Sequence, residues 1–203
     1  EKCKARRKIA WIHTDYSTID IDIKTELKMW SPFNYIVSIS DKCTDAFLSK
    51  FPSLENKIVR IDNIITKEMV NSLANDFIPD EIQKVHNEYI FCSIGRFCYP
   101  KNFDNVPNIG RQLLELGLNF KWYIIGYGPE ENLIKDRIKE EHMEKYICIL
   151  GKKINPYPYI KICDFYIQPS RYEGKAVAVR EAQLLCKPVI ISNYPTSSSQ
   201  LID

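Results

Sequence analysis

The chain has 203 residues, more than the ~100 to 150 of a typical domain, and 45% of them are apolar, so there is enough for one core and part of another. Its 28 Lys and Arg stand against 26 Asp and Glu, and the densest basic stretch, Lys4–Lys8, is broken by Ala5. That balance excludes an electrostatic case for a nucleic-acid partner and favours a small ligand met by a few local charges.

Seven cysteines (Cys3, Cys43, Cys92, Cys98, Cys148, Cys163 and Cys186) include no Cys-x-x-Cys pair, and an odd number cannot all be bridged within the chain. They read as reduced thiols of a cytoplasmic protein. No apolar run approaches the ~18 residues of a membrane span, and Glu1–Lys8 lacks the apolar stretch of a signal peptide. Ser197–Asp203 opens an element without completing it, so the chain is expected to be an excerpt of something longer.

In chain order, Lys8–Ile12 is predicted as a strand and Ile23–Trp30 as a helix closed by Ser31-Pro32, since a residue before proline is pushed out of the helical region. Tyr35–Ile39 reads as a strand, Asp41–Lys50 as a helix capped by Ser40, and Lys57–Ile61 as another strand. This is the pattern of the last half of an α/β domain. Thr66–Asn87 is polar, contains Pro79 and has no strong period, which suits a helix plus a linker.

After it the alternation resumes. Strands are predicted at Tyr89–Ile94, Lys121–Gly126, Ile147–Leu150, Phe165–Gln168 and Pro188–Ile191. Helices are predicted between them at Phe103–Leu118, Pro129–His142, Tyr157–Cys163 and Ala176–Cys186. The expected division is therefore residues 1–65, a linker at 66–87, and a second doubly wound sheet over 88–203. In such sheets ligands sit beyond the carboxyl ends of the strands, so function is expected just after each strand.

Three strand ends stand out. After Ile94, Gly95 lets the backbone turn, and Arg96 and Lys101 flank a Pro-containing loop from which both can reach one anion, or remain solvated loop cations. After Ile125, Gly126-Tyr127-Gly128-Pro129 has only Gly-x-Gly, short of the dinucleotide fingerprint, and Pro129 suits the start of the next helix. After Gln168 comes Pro169–Gln183, where Gly174 precedes a helix whose first amides, Lys175–Val177, would attract phosphate. Glu173 and Glu181 can both project to the ligand side of that helix start. Alternatively Glu181 makes a surface ion pair with Lys187 or Arg180.

Here the sequence resembles a known family. Glu173 and Glu181, with seven residues between them, match the E-x7-E element of retaining glycosyltransferase family 4, and Pro169-Ser170 with Glu173-Gly174 and Glu181-Ala182 resembles that family's wider block. Gly95-Arg96 with Lys101, Gly126-x-Gly-Pro-Glu, Gly151, Cys163-Asp164-Phe165-Tyr166 and Lys187-Pro188-Val189-Ile190 follow in the family's order. Ile12-His13-Thr14 and Ile61-Asp62-Asn63 look like its N-terminal strand end and its Asn-containing exit.

The resemblance implies the α/β GT-B architecture, with two Rossmann-like doubly wound parallel sheets, both incomplete here. Residues 1–65 would be the last part of the acceptor-side domain and 88–203 most of the donor-binding domain. It implies a retaining, metal-independent transfer from a nucleoside diphosphate sugar, UDP before GDP, to a glycan or lipid-linked glycan, with no cofactor. Arg96, Lys101, Gly95 and the segment Gly174, Lys175, Ala176 and Val177 would hold the diphosphate, and Glu181 the ribose. Glu173 and His13 would act at the donor sugar. The implied setting is cytoplasmic polysaccharide biosynthesis at the inner face of a membrane, with peripheral membrane contact through N-terminal portions. Other readings are a donor-binding module without turnover and another nucleotide-binding Rossmann-like enzyme.

Three features depart from the family or tempt another reading. Lys175-Ala176-Val177 replaces the common Phe-Gly-x, and Asn155-Pro156-Tyr157-Pro158-Tyr159-Ile160 is unusually rich in proline, with no function assigned. Asp20-Ile21-Asp22 resembles the metal-binding Asp-x-Asp of the other large glycosyltransferase fold, but it is expected to open a helix, where carboxylates favour the dipole's positive end.

Overall fold

The computed structural model describes residues 4–61, 65–197 and 201. They group into two compact units: the described residues of Glu1–Ile64, Tyr172–Lys175 and Pro195–Asp203 form one, and Ile65–Arg171 with Ala176–Tyr194 the other.

The first unit is a parallel sheet ordered β1 (Ile9–Ile12), β2 (Tyr35–Ser38), β3 (Ile58–Arg60), with α1 (Ile23–Trp30) and α2 (Asp41–Lys50) as its connections. Both helix starts are written locally. The Asp22 carboxylate accepts from the amide of Lys24 and the hydroxyl of Thr25, and Ser40 Oγ accepts from the amide of Cys43 at 3.2 Å. Asp20-Ile21-Asp22 thus opens a helix, as its spacing led one to expect. The core is aromatic: Phe47 meets Phe51, Tyr16 and Trp30 at ring separations of 4.8, 5.1 and 5.3 Å. Asp62 and Asn63 lie outside the described residues, as does Cys3.

The second unit begins with α3 (Lys67–Ala74), capped by Thr66, and continues through β4 (Tyr89–Ile94), α4 (Val106–Glu115), β5 (Phe120–Ile125), α5 (Glu131–Glu140), β6 (Ile147–Gly151), α6 (Tyr157–Ile162), β7 (Phe165–Gln168), α7 (Val177–Leu184) and β8 (Val189–Ile191). Three helices start later than expected; in α5 Glu130 is the cap residue, so Pro129 lies before the helix rather than at its first position. α4 begins three residues later than its periodicity suggests, because Asn102 adopts the left-handed region (φ 58°) and two short 3-10 turns precede it. Pro107 then sits in its first turn, where a missing N–H costs nothing. α7 begins at Val177, so Lys175 and Ala176 separate Gly174 from the helix.

All five strands are parallel in the order β6-β5-β4-β7-β8. Alternation along the strands divides the core in two. Ile90 and Cys92 of β4 pack with Tyr159 and Ile160 of α6 and Val179 and Ala182 of α7 on one face. Phe91, Trp122 and Ile124 pack with Val106 of α4 and Ile134 and Ile138 of α5 on the other. A buried polar stitch crosses three strands: Trp122 Nε1 donates to Ser93 Oγ at 2.9 Å, and Ser93 donates to the Ile167 carbonyl at 2.5 Å. An unpaired indole or hydroxyl at this depth costs about 1 to 3 kcal/mol, so the stitch locks the register of β4 against its neighbours.

Candidate functional site

The strand order places the site. From β4 the chain runs outward through β5 to β6, then returns to the other side of β4 for β7 and β8. The direction reverses between β4 and β7, and at such a switch point the loops diverge and leave a crevice. The two loops there are Gly95–Lys101 after β4 and the segment after Gln168, which are two of the three stretches singled out by sequence.

Gly95 works differently from expectation. It does not use positive φ; a Cβ there would lie 3.3 Å from Cδ and Cε of Lys101 and from the Phe103 ring. The absent side chain lets the Lys101 stem lie on the strand end, next to the exposed Arg96. Both cations therefore leave from the carboxyl end of β4.

Arg171, from the other loop, holds the two loops together. Its amide donates to the Pro100 carbonyl at 2.8 Å, and its guanidinium forks onto Asp104 with Nη1–Oδ1 2.9 Å and Nη2–Oδ2 2.8 Å. The same group lies 4.2 Å from the centre of the Tyr99 ring. Below it, Tyr166 donates to Gln168 Oε1 and Gln168 Nε2 to Ser170 Oγ, each at 2.8 Å, which fixes the Pro169-Ser170 turn.

Gly126 and Gly128 are packing positions. A Cβ on Gly126 (φ 154°) would stand 1.8 Å from the Gly95 carbonyl oxygen, and one on Gly128 would stand 2.3 Å from that of Phe97. The ladder continues through them, with Gly95 N–Ile125 O at 3.0 Å and Phe97 N–Tyr127 O at 2.9 Å. These glycines serve backbone contact, in keeping with the incomplete dinucleotide pattern.

α7 has Ala176 as its cap residue, whose side chain offers no acceptor to the first-turn amides. Four residues into the helix, Glu181 accepts from the Tyr157 hydroxyl at 2.8 Å. The ion pair with Lys187 or Arg180 is not what holds it: among the described residues, burial and the Tyr157 bond are what act on this carboxyl. Burial pushes its pKa above the ordinary 4.5, and the tyrosine bond pulls it partly back. Tyr157 itself is pushed up from 10 to about 12, first by burial and then by the Glu181 carboxylate, so its hydroxyl stays a donor.

Other neighbours escaped the sequence reading. Beside Gly95, a cleft of about 240 Å³ is lined by Arg96, Tyr127, Lys152, Lys153 and Pro156. The Lys152 ammonium lies 5.0 Å from the centre of the Tyr127 ring, giving this end of β5 and β6 a flat surface beside a cation. Glycine spacing drew attention to 126–128 and away from Tyr127. A larger hollow of about 600 Å³ lies mainly on the sheet face that carries Phe91, Trp122, Phe165 and Ile190. Its walls are too apolar for a diphosphate.

In the first unit, His13 follows the carboxyl end of β1 and is exposed. Gly174 packs on its backbone: a Cβ there would lie 2.7 Å from the His13 carbonyl oxygen and 3.3 Å from the amide nitrogen of Thr14. The Glu173 carbonyl accepts from Thr196 Oγ1 at 2.7 Å, and that of Gly174 from Cys43 Sγ at 3.6 Å. Two segments far apart in sequence, Ile12-His13-Thr14 and Glu173-Gly174, are thereby brought side by side, and Gly174 is required by that approach.

Comparison with known proteins bears on the family and the fold. An uncharacterized glycosyltransferase of Methanocaldococcus jannaschii is 24% identical over 155 residues, 76% of this chain and 38% of its own length. The amylovoran biosynthesis glycosyltransferase AmsD of Erwinia amylovora is 28% identical over 156 residues, 77% of this chain and 42% of its own. The chain thus spans about two fifths of these relatives. Among solved structures, Anabaena HepE in complex with UDP and glucose superposes with a TM-score of 0.76 at 15% identity, covering 96% of this chain and 55% of that one. That likeness establishes the GT-B fold, of which this chain is a part. The family model described as Glycosyl transferases group 1 matches residues 74–203, so the chain belongs to that family.

Proposed function

We propose that this chain is the donor-binding part of a retaining glycosyltransferase of family 4 type, which moves a sugar from a nucleoside diphosphate, UDP before GDP, to a glycan or lipid-linked glycan. The observation that supports the reading is that two cations on the β4 end, and a helix start without a side-chain cap followed by a half-buried carboxylate after β7, come from the two strands that flank one switch point. Transfer breaks a C–O bond while negative charge grows on the departing diphosphate, so stabilisation must already be waiting there. Arg96, Lys101 and the α7 amides, with Lys175 beside them, supply it. Each charge-assisted bond contributes roughly 1.5 to 3 kcal/mol, enough between them for a metal-independent departure.

Glu181 takes the ribose diol, as a carboxylate offers two acceptor oxygens to two hydroxyls. Glu173 meets hydroxyls of the donor sugar near the reacting carbon, and His13 supports the charge developing on that sugar. The Tyr127 and Lys152 cleft receives the base. UDP is favoured because HepE was solved with it, and a polysaccharide acceptor because AmsD serves amylovoran biosynthesis. On this reading the protein works in the cytoplasm, at the membrane's inner face.

The test is to titrate UDP, GDP, ADP and uridine into the full-length protein with and without chelator, then to follow sugar release from the matching nucleotide sugars. A diphosphate that binds far more tightly than its nucleoside, undiminished by chelation, supports the proposal. Absence of binding by all three diphosphates, or a strict requirement for an added divalent ion, overturns it.

A further inference from the structure

The proline-rich stretch that the family resemblance left without a role has a definite product in the fold, the placement of one hydroxyl. Pro156 is the cap residue of α6 and Pro158 lies in its first turn, positions where no intrahelical N–H bond is forfeited. Asn155 fastens this start from both sides. Its Oδ1 accepts from the Tyr157 amide at 3.1 Å, while its Nδ2 donates to the Leu73 carbonyl and to Asp76 Oδ2, each at 2.8 Å, at the end of α3. One residue beyond Tyr157 the helix is buried at Pro158, Tyr159 and Ile160. The Tyr157 ring therefore leaves a fixed point in one direction, and its hydroxyl meets Glu181 Oε1 at 2.8 Å.

We infer that Tyr157 is a positioning residue for Glu181, engaging one carboxylate oxygen through a single hydrogen bond from an uncharged donor and holding the group's remaining acceptor capacity toward a ligand diol. This rests on the reading of Glu181 as the ribose acceptor. The choice of partner has a physical logic. A lysine or arginine here would form an ion pair and compete with the ligand's hydroxyls for both oxygens. A tyrosine donates once, adds no charge, and leaves three of about four lone-pair sites to the ligand. It also opposes the burial that drives this carboxyl toward its protonated form, in which one oxygen becomes a donor. α3, α6, β7 and β8 pack against α7. Among the described residues of these elements, the titratable side chain bonded to Glu181 is Tyr157.

The experiment compares Tyr157→Phe, Glu181→Gln and the double variant in the full-length protein, titrating UDP, GDP and ADP by calorimetry between pH 5 and 8, with thermal melts alongside. Tyr157→Phe is expected to weaken the best-binding diphosphate about tenfold, as befits one lost hydrogen bond to a charged group. It is also expected to move the acidic limb of binding to higher pH, because the carboxylate loses the bond that favours its charge. On the Glu181→Gln background the same change is expected to have little further effect. A purely structural tyrosine would lower the melting temperature and weaken binding additively, with the acidic limb unmoved, and that result overturns the inference. If Glu181→Gln binds diphosphate like the parent, the ribose reading itself has failed. If Glu181→Gln weakens binding and Tyr157→Phe does not, only the positioning role is lost.

Discussion

The Arg171 guanidinium and the Asp104 carboxylate form a two-bond fork, 2.9 and 2.8 Å, that ties the loop after β7 to the start of α4. Arg171 stands within the family-like block, where a cation invites a phosphate role, yet both of its terminal nitrogens bond to protein. Besides the fork, Nη1 donates to the Tyr99 carbonyl at 2.6 Å. Its task is to fix the loop that carries Arg96 and Lys101.

The first prediction concerns this fork. Arg171→Ala is expected to cost about 1 to 2 kcal/mol in chemical denaturation, since both groups are partly exposed and the lost bonds are charge-assisted. The bond to Arg171 lowers the Asp104 pKa below the ordinary 3.8. The fork's contribution is therefore full above that value and lost as pH falls below it through the depressed pKa. Melting curves of parent and Asp104→Asn are expected to differ at pH 6 and to converge as pH falls below 3.8; a constant gap would mean the fork does not govern the difference.

The second prediction separates phosphates from nucleoside. Arg96→Ala and Lys101→Ala are each expected to weaken diphosphate binding by roughly 1.5 to 3 kcal/mol while barely changing the bare nucleoside. Calorimetric titration of both ligands decides, and equal losses for the two would move these cations away from the phosphates.

A third concerns the glutamates. Glu181→Gln keeps one acceptor oxygen and loses the charge, so affinity is expected to fall for nucleotide sugar and free diphosphate alike. Glu173→Gln is expected to spare free diphosphate and reduce turnover, because its partner exists only in the intact donor. Burial raises the Glu181 pKa, so on the proposed ribose role the parent's diphosphate affinity is expected to decline as pH falls through a value above 4.5. The same sign means that folding gains nothing from this charge at neutral pH, and Glu181→Gln is expected to melt no lower than the parent. Matching losses of diphosphate affinity in the two variants would reject the division of roles.

The fourth tests the backbone approach between β4 and β5. Gly126→Ala places a Cβ 1.8 Å from the Gly95 carbonyl oxygen, and is expected to cost about 2 to 3 kcal/mol and to spoil diphosphate binding by displacing the Lys101 loop. Gly117→Ala meets nothing within 4 Å and carries only the strain of φ 82°, about 1 kcal/mol. Urea unfolding of the two variants compares crowding with strain; equal costs would show that the approach is relaxed in solution.

Periodicity and punctuation alone determined the strand and helix succession, because alternation at two residues and amphipathic spacing at three to four are local properties of the chain. Caps such as Ser40 and Thr66 are equally local, and so is the pairing of Glu173 with Glu181 as one pattern. Tertiary structure decided what those residues touch. The reversal between β4 and β7 depends on strand order, which no local signal carries, and it is this order that puts the Gly95 loop beside Pro169. Tyr157 reaches Glu181 across 24 positions, Arg171 reaches Asp104 across 67, and Gly174 rests on His13 from the far end of the chain. A side chain's partner is set by which backbone arrives opposite it, and that is known only once the sheets are ordered and the helices are packed on them.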